Sequence, residues 1–360
     1  MAITGNKGEW SEIYALFKLL GDKMVYAGDA SLNKIADIFY PILSVLRNEQ
    51  NKSYEYAING DLVIITEDGE ELLRKNISDF AQKATELLRT IQSSSGTFSI
   101  PKIEQFMSEI HCSKLKAKSQ DKTDIRIIIH DLRTGMTPTL GFSIKSQIGN
   151  DSTLLNASRA TNFCYCISGC SLTDAEIKKI NDINTHQKIL DRVKTIISKN
   201  GVLEYAGMDD STFKNNLVLI DSFLPPIIAS VLAQCYSTGV YDLKKNTEQV
   251  SKSNPMGYDI NDNLPYYEHK IKNLLVASAL GMVPHTPWNA LYDANGGYLV
   301  VKDDGDVLCY HFYDRNLFES YLFENTKLET PSSSRNDFGK IFKGNDGRNY
   351  IKLNLQIRFK

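Results

Sequence analysis

Excess charge of either sign is missing from this chain. Its 41 Lys and Arg residues nearly balance 43 Asp and Glu, for a net charge of -2. The chain as a whole is therefore not an electrostatic sponge for polyanions, and a polyanion site would have to be a local patch. The start, MAITGNKGEWSEIY, lacks the apolar stretch of a secretion signal, and its aromatic and acidic residues do not suit a transit peptide. The expectation is a cytoplasmic protein. An uninterrupted membrane span is also lacking, because the most apolar window, Leu217 to Tyr236, contains Asp221 and the pair Pro225-Pro226. It reads as a buried helix beginning at the prolines. Cysteines at 112, 164, 166, 170, 235 and 309 lack the paired spacing and nearby histidines of a zinc site, and read as reduced structural thiols. Internal repeats and long biased tracts are absent as well, which argues against global disorder.

What is present is an ordinary globular mixture, 42% hydrophobic and 23% charged, over 360 residues. That length exceeds the roughly 250–300 residues at which a single core stops growing, so a compact domain with a substantial second lobe is expected. Ile13, Leu16, Phe17 and Leu20 form a stripe at helical spacing between Glu9 and Leu20, with Glu12 at its border. Helical patterns are also predicted from Ser31 to Arg47 and from Glu70 to Ile91, flanking strand-like pieces near Tyr56 and Val63. A short helix opens at Pro101. Beyond it, DIRIIIHD and LGFSIKSQIG, separated by Leu132 to Thr139, predict an antiparallel hairpin. A third strand is expected at Asn162 to Ile167, then one long helix from the capping box Thr173-Asp174-Ala175-Glu176 to Gly201. Helices follow Pro225 and Pro265. The remainder reads as β: Gly297 to Val301, Val307 to Tyr313, and the alternating run YIKLNLQIRF at 350–359, interrupted by a helix around Arg315 to Phe323. The fold class is mixed α/β (α+β).

The hairpin carries the constellation most able to do chemistry. Asp124 begins one strand, while Ser143, Lys145 and Gln147 share a face of the other. A turn centred near Gly135 to Met136 would set Asp124 opposite Gln147 and close to Lys145. Spacing alone leaves two readings open. A carboxylate beside an ammonium suits metal-dependent phosphodiester hydrolysis, and it suits equally a plain cross-strand ion pair.

The surrounding strings add to this. KTDIRIII with GFSIKSQIG resembles the core of the PD-(D/E)XK nuclease superfamily. NKGEWSEIYALFKLLGDK, GFSIKSQIGNDSTLLNAS, GGYLVVKDDGDVLCYH, KLETPSSSR and YIKLNLQIRF together resemble the HpaII-type restriction endonucleases, in order over nearly the whole chain. The resemblance implies a restriction-endonuclease-like core near residues 1–200, followed by a helical then β-rich recognition region at 201–360. It implies Mg²⁺-dependent cleavage of double-stranded DNA at CCGG, after the first C. It further implies a companion cytosine methyltransferase and allows a homodimer on DNA. Asp124 would be the metal ligand and Lys145 the water-positioning lysine. Ser143 stands where an acidic residue is usual, and a hydroxyl is a poor replacement on a hard cation. Glu12, on the first helix, is the expected replacement, with Glu9 and Asp151 as alternatives. Ser143 also leaves room for a second reading, a catalytically inactive DNA-binding protein that kept the fold.

For DNA contacts, Gln147 and the polar segment with Ser152, Asn156, Arg159 and Asn162 follow the catalytic strand, and such groups grip phosphates. Guanine is read by Arg or Lys in the major groove. Arg335 is the candidate reader, with Lys327 and Arg133 behind it. Two basic runs permit this reading and equally suit plain solvated faces: Lys114, Lys116, Lys118 and Lys122, and the tail from Arg335 to Lys360, where seven basic residues face only Asp337 and Asp346.

Overall fold

The structure is a computed structural model that describes residues 2–49, 52–115, 123–259 and 261–360. Lys116, Lys118 and Lys122 of the first basic run lie outside these residues. The chain begins with α1 (Lys7–Asp22), then β1 (Met24–Gly28), β2 (Lys34–Glu49), β3 (Lys52–Asn59), β4 (Leu62–Glu67) and β5 (Glu70–Asn76). Next come α2 (Ile77–Ser93), α3 (Pro101–Glu109) and the hairpin β6 (Ile125–Ile129) with β7 (Thr139–Ser146). The middle comprises β8 (Thr153–Leu155), β9 (Asn162–Ser168), α4 (Asp174–Asn181), α5 (Lys188–Ser198), β10 (Val202–Met208) and four helices. These are α6 (Ser211–Ile220), α7 (Leu224–Thr238), α8 (Leu243–Ser253) and α9 (Tyr266–Leu280). The last part holds β11 (Gly297–Val301), β12 (Val307–His311), α10 (Arg315–Glu324), β13 (Thr326–Leu328) and α11 (Ser333–Asn336). It ends with β14 (Ile341–Lys343), β15 (Asn349–Asn354) and β16 (Ile357–Phe359).

Two compact units result: Met1–Ser152 with Tyr292–Tyr321, and Thr153–Leu291 with Leu322–Lys360. This division differs from the single boundary expected at residue 200. The reason lies in the first sheet, ordered β1-β12-β11-β7-β6-β2-β3-β4-β5. Its strand β11 comes from far along the chain and pairs parallel to β7, with Tyr298 beside Ser143 and Val300 beside Lys145. β1 and β12 also run parallel, while the remaining pairings are antiparallel, so the sheet is mixed.

The α1 stripe packs as its spacing requires. Ile13, Leu16, Phe17 and Leu20 are fully buried, and Phe17 meets Phe80 of α2 and Phe106 of α3 edge-on at 6.1 and 5.3 Å. Burial of each such side chain stabilises by about 1.5–3 kcal/mol. A Cβ on Gly21 would lie 3.0 Å from the backbone of Ala81, so that glycine lets α1 and α2 approach. On the far side of the helix cluster the sheet contributes Ile125, Ile127, Phe142, Ile144, Leu299 and Val301.

Several expected elements changed type. The helix predicted from Ser31 to Arg47 is the strand β2. Pro41 cannot donate a helical hydrogen bond, and the isoleucines and aromatics around it favour the pleat. β2 serves two sets of partners, β1 through its first half (Tyr26 beside Phe39) and β3 and β6 through its second, with an irregularity between Ile42 and Ser44. The helix expected from Glu70 keeps only its later part. Asp68 and Gly69, both at positive φ, turn the chain back so that β5 pairs with β4 before α2 begins.

The second unit departs further. β9 does not join the β6–β7 hairpin; it lies in the sheet β10-β9-β15-β14. The long helix to Gly201 is two helices, because the buried Arg192 guanidinium donates to the carbonyls of Asn181, Ile183 and Gly339 and holds the break. The final alternating run is split into β15 and β16, which pair with different sheets. α6 and α8 were not expected. Among the described residues no single helix is long and apolar enough to cross a membrane; α6 and α7 meet that measure only as a pair bent by 106°.

The strand expected to reach Tyr313 stops at His311. Its imidazole Nδ1 accepts from Tyr313 N at 2.8 Å, and its ring stacks on Tyr40 at 5.3 Å with Phe142 edge-on at 5.9 Å. Burial pushes this histidine down to about 4, against the opposing pull of Asp314 and Asp131 and alongside the repulsion of Arg133. Below about pH 6.5 the unfolded imidazole takes up a proton that the folded one refuses, so the native state loses stability as pH falls from there towards 4. Urea midpoints across that window should decline for the wild type, and His311→Gln should flatten the decline.

Candidate active site

Local geometry around Asp124 is built from the edges of four segments. Asp124 N donates to Phe142 O at 2.9 Å, continuing the ladder in which Ile125 lies beside Phe142. The register therefore sets Asp124 next to Ser143, four residues from the expected partner Gln147. The difference follows from the turn, which centres at Arg133-Thr134 because Ile128 pairs with Thr139. Asp131 closes that turn: its carboxylate accepts from Arg133 N and Thr134 Oγ1, and its carbonyl accepts from Gly135 N.

The carboxylate of Asp124 is held through one oxygen. Oδ2 accepts from Ser143 Oγ at 2.9 Å and from Ile144 N at 2.7 Å. Oδ1 takes no hydrogen bond among the described residues and is the hard oxygen left for a further ligand. Thr123, one residue earlier, is anchored by donating to Asp293 O at 3.0 Å. Gly141 N donates to Asn295 Oδ1 at 2.8 Å, and a Cβ on Gly141 would meet Thr123 Oγ1 at the same 2.8 Å. Only glycine allows this approach.

Lys145 follows Ser143 on the same face of β7. Its Nζ stands 5.0 Å from the ring centroid of Tyr298, a fully buried residue of β11. Burial, and then the charge of Asp124, push the Tyr298 phenol well up. Neither Tyr298 nor Asn295 was singled out from the sequence as a site residue. GGYLVV was legible as a strand, but its parallel register against β7 was not.

The first helix meets the other set of β7 side chains. Ser11 Oγ lies 2.8 Å from Ser146 Oγ. Glu12, half-buried with its Oε2 fully buried, lines a cavity of about 800 Å³ together with Ile144, Ser146, Ile148 and Ser152. Glu9 lines it too, but its carboxylate accepts from Asn6 N in a capping box. Among the described residues no group of three or more His, Cys, Asp or Glu side chains is close enough to hold a metal ion. Gln147 is exposed beside this cavity, its backbone N donating to Val301 O.

The remaining expected DNA contacts divide clearly. Asn156 and Arg159 are exposed, Arg159 in a short 3-10 turn. Asn162 is a correction: it is 1% exposed, donates to Asn336 O and Asp337 O, and accepts from Asn354 Nδ2 at 2.7 Å. A side chain so enclosed cannot grip a phosphate; it holds the backbone beside Arg335. Arg133 is engaged as well, in a 2.6 Å ion pair with Asp314 that holds its guanidinium above the usual range. Lys327 is half-buried within β13, opposite Arg358. Arg335 is exposed on α11 and makes no ion pair with a described residue.

The basic tail proves less basic than its letters. Lys343 pairs with Asp174, Arg348 with Asp346, Lys352 with Asp209, Arg358 with Glu329 and Lys360 with Asp242. Most of those acids come from distant positions, which counting within the tail could not reveal. The exposed Arg335 and Lys340 are outside these pairs.

Comparison with known proteins shows the chain's family. The family model described as HpaII restriction endonuclease matches residues 6–359. The chain belongs to the HpaII restriction endonuclease family. It is 49% identical over 360 residues, 99% of this chain and 98% of the relative, to the type II restriction enzyme HpaII of Haemophilus parainfluenzae. No solved structure matches it. The chain is thus a site-specific deoxyribonuclease acting on double-stranded DNA.

The enclosed Asn162 makes a separable prediction for the second unit. Asn162→Ala leaves Asn354 Nδ2 and two backbone carbonyls short of a partner, so it should destabilise the fold by about 1–3 kcal/mol in urea denaturation. Asn156→Ala, at an exposed position, should stay within about 0.5 kcal/mol of the wild type.

Proposed function

We propose that the chain hydrolyses phosphodiester bonds of double-stranded DNA at CCGG, cutting after the first C, with Mg²⁺ as cofactor. The observation that carries this reading is the Asp124 carboxylate, fixed through Oδ2 by Ser143 Oγ and Ile144 N with Oδ1 left over, on the face that also bears Lys145. The full-length likeness to the restriction enzyme HpaII supports it.

The donor chemistry fits the cofactor. Mg²⁺ prefers hard oxygens and is commonly held by one or two carboxylates, the rest of its shell being water and substrate phosphate. Asp124 supplies one such carboxylate; Glu12, the expected second, instead lines the cavity on the other face of β7 with Ile144 and Ser146, so water and substrate phosphate would complete the shell. When bound, the ion supplies Lewis-acid polarisation of the phosphodiester and neutralises developing charge. The protein's own part is positional. Ser143 acts as donor to Asp124 and stops the carboxylate from rotating, which gives the serine a role without making it a ligand. Lys145 Nζ orients the attacking water and stabilises charge at the scissile phosphate.

On this reading the first unit cleaves and the second contributes recognition. Arg335 reads guanine, since a guanidinium fork matches O6 and N7 and Arg335 is not committed to an acid of the described chain. Gln147, Ser152, Asn156 and Arg159 contact the DNA backbone. A second copy of the chain would cut the opposite strand, and a cytosine methyltransferase in the same cytoplasm would protect host sites.

Asp124→Ala and Lys145→Ala should each reduce cleavage of a CCGG plasmid by at least about a thousandfold while duplex binding persists, and a chelator should do the same to the wild type. Undiminished cutting by either variant in a timed digest would remove the site. A gel shift by the wild type with no cutting at any Mg²⁺ concentration would favour an inactive binder. Arg335→Ala should weaken binding to a CCGG duplex by about 1–3 kcal/mol while an unrelated duplex is little affected. Equal losses on both duplexes, with a shallower salt dependence, would make Arg335 a phosphate anchor.

A further inference from the structure

We infer that Tyr298 is a positioning residue for cleavage, its ring face holding the ammonium of Lys145 in place for reaction. The inference rests on the reading of Asp124 and Lys145 as the active site and assigns the lysine its support.

Lysine has a long flexible stem and a compact charge, so a strand position alone leaves its head poorly localised. The neighbouring strand corrects this. β11 pairs parallel to β7 with Tyr298 beside Ser143, one side-chain step before Lys145 on the same face. Within that register the lysine reaches back across the ring, and Nζ comes to 5.0 Å from its centroid, inside the range of cation–π attraction. The platform itself is rigid. Tyr298 is 2% exposed, meets Phe318 edge-on at 5.3 Å and pairs through its backbone with Tyr310. Tyr310 in turn stacks on Tyr321 at 3.9 Å.

The residue before the tyrosine is constrained to match. Gly297 has φ +104°, and a Cβ there would fall 2.1 Å from Tyr310 O, so only glycine admits this close strand entry. Gly296 N donates to Gly141 O at 2.7 Å, tying the same turn to the start of the strand that bears Ser143 and Lys145. The pair Gly296-Gly297 therefore sets where Tyr298 stands, and Tyr298 sets where the ammonium stands. The ring's negative face attracts that ammonium without introducing a second carboxylate to compete for it.

The test uses the full-length enzyme under single-turnover conditions, with Tyr298→Phe, Tyr298→Leu, Lys145→Ala and a protein bearing pentafluorophenylalanine at 298. Duplex affinity is measured in chelator and melting temperature for each protein. Tyr298→Phe should cleave within about threefold of the wild type. The fluorinated ring, equal in shape but reversed in its quadrupole, should cleave about tenfold more slowly with unchanged duplex affinity and melting temperature, and Tyr298→Leu at least as slowly. Cleavage by the fluorinated protein at the rate of Tyr298→Phe would overturn the inference. So would a tenfold loss in Tyr298→Phe itself, which would assign the effect to the hydroxyl. Wild-type cleavage by Lys145→Ala would instead show that the active-site reading had failed, and the inference with it.

Discussion

The parallel ladder between β7 and β11 is the constraint on which the first unit depends. Parallel pairing needs a crossover, and here the crossover spans the stretch of chain that folds as most of the second unit. Closing so long a loop is entropically unfavourable, though the cost grows only slowly with length. What offsets it is the burial of Leu299, Val301 and Cys309 against the α1 cluster and of Tyr298 and Tyr310 on the opposite face. Once β11 is in register, Asn295 meets Gly141, Gly296 meets the same residue, and Tyr298 underlies Lys145. The candidate active site is thus assembled from both ends of the chain's first unit, and its geometry is as rigid as that sheet.

Beside Asp124, a serine stands where the family resemblance expects a second acid. Two carboxylates side by side would repel and would each need a cation to ionise comfortably. Serine at 143 avoids that and donates a hydrogen bond to its neighbour. The arrangement trades a second negative charge for orientation of the first. Hydrogen bonds to a charged acceptor are the stronger kind, so Asp124 is held firmly through one oxygen while the other is left over.

Electrostatics elsewhere follow the same economy. The tail from Arg335 to Lys360 pairs its cations one by one with Asp174, Asp209, Asp242, Glu329 and Asp346, and Arg133 with Asp314. Exposed pairs of this kind contribute little stability. Their effect is to remove charge from the surface that a polyanion would feel. Arg335 and Lys340 are among the exposed cations left outside such pairs, and the buried amide of Asn162 donates to the carbonyls of Asn336 and Asp337 next to Arg335.

By itself the sequence determined what depends on short-range pattern. The α1 stripe, the prolines opening α3 and α7, the Thr173 capping box and the alternation of β6 and β7 are local, and the structure has them all. The mixed fold and the family strings, which carry Asp124, Ser143 and Lys145, were legible for the same reason. Tertiary structure decided what depends on partners. β2's apolar spacing fits a helix or a strand; Pro41 disfavours the helix, and pairing with three neighbours settles the strand. β15 and β16 are separate because their last residues find different sheets. The register that sets Asp124 beside Ser143, the enclosure of Asn162 and the place of Tyr298 under Lys145 all arise from residues far apart in the chain. A main-chain ladder carries no sequence label of its partner, and only the packed sheet selects one.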